Sequence, residues 1–181
     1  MSTWQVTQSD IAKGLEWSEE SVTSQWNLEE VSWESLTYGA VPGKATLSTF
    51  SGIFPAERVG EQFIVPVMMD RTHISSPFEA ENRHHFIEFG YPQQYDYKIN
   101  VQIPKGLILE EIPERVSTTL PNRRASFFFM VQQEEDQLSI QSSFRLQTAY
   151  YAPGEYQALK NLFDQMADAY SQSLVLVKQE E

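Results

Sequence analysis

In the stretch YDYKINVQI, residues 95–103, apolar and polar side chains alternate without a break. Tyr95, Tyr97, Ile99, Val101 and Ile103 fall on one side, and Asp96, Lys98, Asn100 and Gln102 on the other. A period of two over nine residues suits a half-buried strand and no helix, since a helix would scatter the apolar set around its axis. The chain must therefore build a sheet with one dry face and one wet face. The PKG that follows stops the strand, because Pro104 cannot donate to a ladder and Gly106 tolerates positive φ. A second run, LILEEI, comes next.

Residues 125–146 predict a hairpin. Residues 125–132 form one arm and QEED makes the turn. Along the other arm Leu138, Ile140, Phe144 and Leu146 alternate with polar residues. The segment 153–172 has helical spacing, with Tyr156, Leu159, Phe163, Met166 and Tyr170 recurring at three and four and Leu162 and Ala167 widening the stripe. Pro153 fits the first turn, where its missing N–H costs nothing, and Glu155 complements the positive end. SLVLVK then reads as a short central strand, because Leu174 to Val177 leave no polar face. EQFIVPVMM is a strand interrupted at Pro66, hence at an edge or a bulge. In the first sixty residues QWNL, VSWESL and ATLSTFSGI suggest further strands. Prolines recurring from Pro42 to Pro121 leave little room for other long helices. The expected fold is mainly β: an antiparallel β-sandwich, immunoglobulin-like in general architecture, with one C-terminal amphipathic helix and a final strand. A chain of 181 residues suits a single domain with a real core.

Composition narrows the chemistry. Thirteen basic against twenty-five acidic residues give a net charge of −12, and the densest positive spot is the pair Arg123-Arg124, so no nucleic-acid footprint exists. With no cysteine there is no disulfide, thiolate nucleophile or Cys-ligated metal. The longest wholly apolar run, Phe127 to Val131, is far short of a bilayer span, so no membrane span is expected. The opening MSTWQVTQSDIAKG has neither a basic nor an apolar signal-peptide region.

The conspicuous candidate for chemistry is NRHHFIEFGYP. On a strand His84 and His85 face opposite ways and cannot share a metal, so these residues read as a strand with polar residues at its start. His73 lies near Asp70, and a triad can be drawn with Ser75 or Ser76, but no GxSxG elbow frames either serine. The acid pairs Glu19-Glu20, Glu29-Glu30, Glu110-Glu111 and Glu134-Glu135 suit solvated turns better than the two facing carboxylates of a glycosidase. Asp164 and Asp168 lie at i, i+4 with no calcium loop around them, and no glycine-rich phosphate loop occurs. No catalytic, cofactor-binding or metal-binding residue is expected. The candidate ligand contacts are Trp4, Trp17, Trp26 and Trp33, all within the first 33 positions, which could offer a sugar-stacking platform; sandwich cores use aromatics equally well.

From about Glu61 onward, an ordered set of pieces resembles the C-terminal domain of unknown function of bacterial transglutaminase-like proteins. The matching residues are Pro77-Phe78, Arg83, Phe89, Tyr91-Pro92, Pro104, Gly106, Glu110, Pro113, Pro153, Tyr156, Leu159 and Phe163. Ser76, His85 and Leu107 depart from the usual asparagine, proline and tyrosine. The resemblance spans residues 61–178; residues 1–60 match only loosely, as lead-in strands. It implies a non-catalytic accessory domain whose partner is an upstream papain-like core, or another envelope protein. That core would carry the catalytic cysteine, histidine and aspartate, none of which transfers to this chain. The resemblance also implies a periplasmic or cell-envelope setting, with the missing signal peptide reflecting truncation. The alternatives are a carbohydrate-binding module using surface aromatics and a carboxylate-dependent hydrolase.

Overall fold

The structure is a computed structural model that describes residues 2–9, 29–37, 46–54, 56–69 and 74–179. It is mainly β, with antiparallel sheets, one C-terminal helix and a final strand. The larger sheet holds seven strands: β1 (Ser2–Ser9), β2 (Glu29–Thr37), β3 (Thr46–Ile53), β7 (Gln93–Gln102), β9 (Val116–Thr119), β10 (Ala125–Glu134) and β11 (Gln137–Leu146). They run in the order β2-β3-β1-β7-β11-β10-β9. The smaller sheet has the order β4-β5-β13-β8, from β4 (Glu57–Val59), β5 (Gln62–Pro66), β13 (Ser173–Lys178) and β8 (Leu107–Leu109). A two-stranded ribbon pairs β6 (Ile87–Glu88) with β12 (Tyr150–Tyr151).

The alternation in residues 95–103 does what the pattern requires. Tyr97, Ile99, Val101 and Ile103 are buried, and Lys98 is exposed. Register extends each position across the sheet: Ile99 faces Ile140, which faces Val131, and Tyr95 faces Phe144, which faces Phe127. The dry face is thus a set of cross-strand rows, the unit that stabilises a sheet. On the wet face Asp96 accepts hydrogen bonds from Ser143 and Gln94. The hairpin turn is tighter than QEED suggests: Glu134 pairs with Gln137, leaving Glu135 and Asp136 at the tip, with Glu135 at φ 54°.

The helix α1 (Tyr156–Ser171) follows a single 3-10 turn at Pro153–Glu155, within the expected 153–172. Its stripe of Tyr156, Leu159, Leu162, Phe163, Met166, Ala167, Ala169 and Tyr170 is buried, and α1 packs on β9 and β10. Inside, the Tyr170 hydroxyl lies 2.6 Å from that of Ser142, so this buried serine is paired. Extended backbone at Gln172 sends the chain straight into β13. That strand is central, as expected, but only its Leu174 and Leu176 side is fully dry; Val175 and Val177 are half-buried, because nothing described covers the outer side of the smaller sheet. Pro66 ends β5 beyond the reach of β4, whose pairing stops at Ile64, so its missing N–H costs no bond on that side.

Of the described residues before Gly60, β1, β2 and β3 join the larger sheet and β4 the smaller. β1 sits between β3 and β7, with Thr3 to Ser9 paired along Asn100 to Gln94.

Candidate functional site

The chain crosses from the larger sheet to the smaller after β7. Strand β7 stops at Gln102, Pro104 to Gly106 reverse the chain, and β8 begins in the other sheet. Gly106 has φ 84°, and the Leu107 N–H donates to the Pro104 carbonyl at 3.2 Å, the geometry of a type II turn. The step between sheets leaves a cavity of about 410 Å³. Phe63, Val65, Leu107 and Leu176 wall it from the smaller sheet, Val101 from the larger, and Ile53, Phe54 and Ala56 from the passage between β3 and β4. The polar side chain Gln102 at its border is already committed, donating to the Asp136 carbonyl and accepting from Gln137. The walls are therefore mainly aliphatic and aromatic.

Charge gathers beside the cavity. Arg58 on β4 pairs in register with Phe63 and holds its guanidinium carbon 5.9 Å from the centre of that ring. Its Nε donates to the Gly60 carbonyl and its NH2 lies 3.6 Å from Glu61. Lys178 reaches the same carboxylate at 3.1 Å. The hydrogen bond and charge of Lys178, with help from Arg58, hold the Glu61 carboxyl below its usual range.

The residues singled out in the sequence lie elsewhere. His84 and His85 are both exposed, in irregular chain; the strand expected across them is confined to Ile87–Glu88. The reason is tertiary. Ile87 and half-buried Phe89 are drawn inward, while the Tyr156 hydroxyl binds the Ala80 carbonyl and Gln157 binds that of Glu81. Pinned at both ends, the chain between them bows out, leaving Phe86 68% exposed. Asp70 and His73 lie outside the described residues. Ser76 caps its own turn, accepting from the Phe78 N–H, and hydrogen-bonds Asp164. Glu110-Glu111 and Glu134-Glu135 are exposed, Glu29-Glu30 opens β2, and Glu19-Glu20 lies outside the described residues. Asp164 pairs with Lys160 at 2.8 Å, while Asp168 is exposed. Trp17 and Trp26 lie outside the described residues. Trp4 and Trp33 stand on β1 and β2, each opposite Phe50 in register, which puts them on strands flanking β3. Among the described residues no three His, Asp or Glu side chains gather as a metal site would need, and no helix is long and apolar enough to cross a membrane.

Sequence reading missed a second polar cluster, at the foot of the helix. Arg124 places one guanidinium nitrogen 3.1 and 3.0 Å from the two oxygens of Glu155, binds Thr148 and the Tyr150 carbonyl through the other, and lies over the Tyr151 ring at 5.1 Å. Asn122 also donates to Glu155, whose other oxygen accepts the Ala152 N–H at 2.8 Å. Burial opposes ionisation of Glu155, yet these donors and the Arg124 charge keep it below its usual range. Arg123, at φ 59°, only turns the chain. The cluster fastens the hairpin to the helix start.

Fold and cavity define a helix-capped antiparallel β-sandwich with an apolar slot between its sheets. Residues 61–176 match the profile of a family described as a domain of unknown function with solved structure, DUF3858, and the chain belongs to that family. No curated protein matches it significantly. A solved structure from Parabacteroides distasonis, described as that of a putative protease, is similar with a TM-score of 0.48 and 12% identity. The likeness covers 55% of this chain and 19% of that one, so the chain spans only a fraction of that protein's length.

Proposed function

We propose that the chain is a non-catalytic accessory domain of a transglutaminase-like protein of the bacterial envelope, packing on or assisting a papain-like core. One observation carries the reading: aromatic residues of the family's ordered signature meet one another in packing. Phe78, Phe89, Tyr156 and Phe163 lie far apart in the chain, yet their rings touch, with Phe78 edge-on to the other three. Leu159 is buried beside them, and Pro104 and Gly106 make the turn between sheets. A signature spent on rigidity suits a scaffold that presents surface to a partner.

Two measurements test this. The isolated chain, assayed for amide, ester and glycoside hydrolysis and for acyl transfer to amines, shows no turnover. A papain-like core encoded in the same reading frame, produced separately, binds the chain saturably. Turnover that is abolished by a single carboxylate substitution, or a reading frame without such a core, overturns the proposal.

A further inference from the structure

We propose that the cavity between the sheets is a binding site for a free aliphatic carboxylate, the chain lying in the slot and the carboxylate at Arg58. The inference is independent of the accessory role. A cavity of about 410 Å³ falls within the roughly 300–1,000 Å³ typical of ligand sites. At roughly 30 Å³ per water-sized group it holds on the order of a dozen heavy atoms. Its lining is what a hydrocarbon chain needs: Ile53, Val65, Val101, Leu107 and Leu176 with Phe63 offer dispersion contacts and no hydrogen bonds. A sugar or a peptide backbone would surrender its own hydrogen bonds on entering, because Gln102 is already paired.

The head group follows from charge. Register places Arg58, Phe63 and Leu176 in one cross-strand row, so Arg58 stands at the β4 edge of the face that walls the cavity, and its side chain is 58% exposed. Arg58 and Lys178 share the single carboxylate of Glu61, which among the described residues leaves this border net positive on a chain of net charge −12. Glu57 and Glu110 do not cancel it. Glu57 pairs with Ile64 on the opposite face, and the Glu110 carboxylate takes a hydrogen bond from Gln62, whose register partner Val177 lies on that opposite face too. An anionic end at Arg58 with an apolar tail inward satisfies both halves of the geometry.

Calorimetric titration of the folded chain with monomeric dodecanoate, below its micelle concentration, tests the assignment. One saturable site is expected. Arg58→Gln weakens dodecanoate about fivefold, the size of one exposed ion pair, and leaves dodecanol unchanged. Ala56→Trp, which fills the border from an exposed position, abolishes binding of both. Because neither residue is buried, circular dichroism and melting of the variants stay those of the parent. Absence of saturable dodecanoate binding, binding indifferent to Ala56→Trp, or adsorption to phosphatidylglycerol vesicles without uptake of the monomeric acid would each overturn it.

Discussion

The ring of Phe89 lies parallel to that of Phe163, with centroids 5.8 Å apart and planes 4° from coincidence. Phe89 follows the short ribbon strand and Phe163 is in the middle of α1, so this one contact fixes the helix against a loop far from it in sequence. Phe78 and Phe144 meet Phe163 edge-on at 5.1 and 5.3 Å, the arrangement that ring quadrupoles favour. Phe163→Ala removes a shared centre of all three, and a loss of about 3–5 kcal/mol is expected in denaturant unfolding. Phe89→Ala, at a half-buried position, costs less. Equal losses would show that the cluster is not centred on the helix.

Arg124→Ala should destabilise the fold by about 1–2 kcal/mol, a value kept low because the side chain is 38% exposed. Arg124→Lys recovers only part, since one ammonium cannot bind Glu155 and the Tyr150 carbonyl together while covering the Tyr151 ring. A double-mutant cycle with Glu155→Gln isolates the pair, and a coupling near zero would remove its role as a fastening.

Acid weakens this fold through identifiable carboxylates. Burial opposes the charge on Glu155 and Asp164, but hydrogen bonds and cations prevail and lower both below their ordinary 4.5 and 3.8. A folded pKa lower than the unfolded one gives stability that is complete above the unfolded value and fades as pH falls through the folded one. Melting temperature should therefore drop below about pH 4.5, and Glu155→Gln should flatten that slope. At the other end, burial raises Tyr151 to about 12. Its stabilisation is complete below pH 10 or so and is lost as pH climbs toward 12. Tyr151→Phe should blunt the alkaline loss.

Two turns invite opposite substitutions. Gly106 sits at φ 84°, where Ala costs roughly 1–2 kcal/mol, and Gly106→Ala also disturbs the passage between sheets. Glu135 already bears that strain at φ 54° on the hairpin tip, so Glu135→Gly should stabilise by up to about 1 kcal/mol. Thermal melts of the two variants should move in opposite directions.

Local pattern made much of the fold legible. The unbroken alternation of residues 95–103, the hairpin arms and the helical stripe from Tyr156 to Tyr170 each depend on neighbours a few residues away, and each took its expected form. At NRHHFIEFGYP the same logic failed, because the shape there is set by Tyr156 and Gln157 holding Ala80 and Glu81 from across the molecule. The cavity was invisible for a related reason. Ile53, Val101, Leu107 and Leu176 read as ordinary core positions, and only the assignment of their strands to two different sheets separates them. Arg124 and Glu155 gave no signal either: a basic pair and an early-helix acid become partners only once the hairpin turns back.

The position of β1 bears on how the family segment can be handled. Residues 61–176 omit β1, β2 and β3, yet β7 offers one of its two sides to β1 from Gln94 to Asn100. Cut at the family boundary, the sheet would end in a long rim of unanswered amides and carbonyls, with Tyr97, Ile99 and Val101 on its apolar side. Such a rim recruits any strand within reach. A trimmed version should pair with itself or precipitate at concentrations where the 181-residue chain stays in solution.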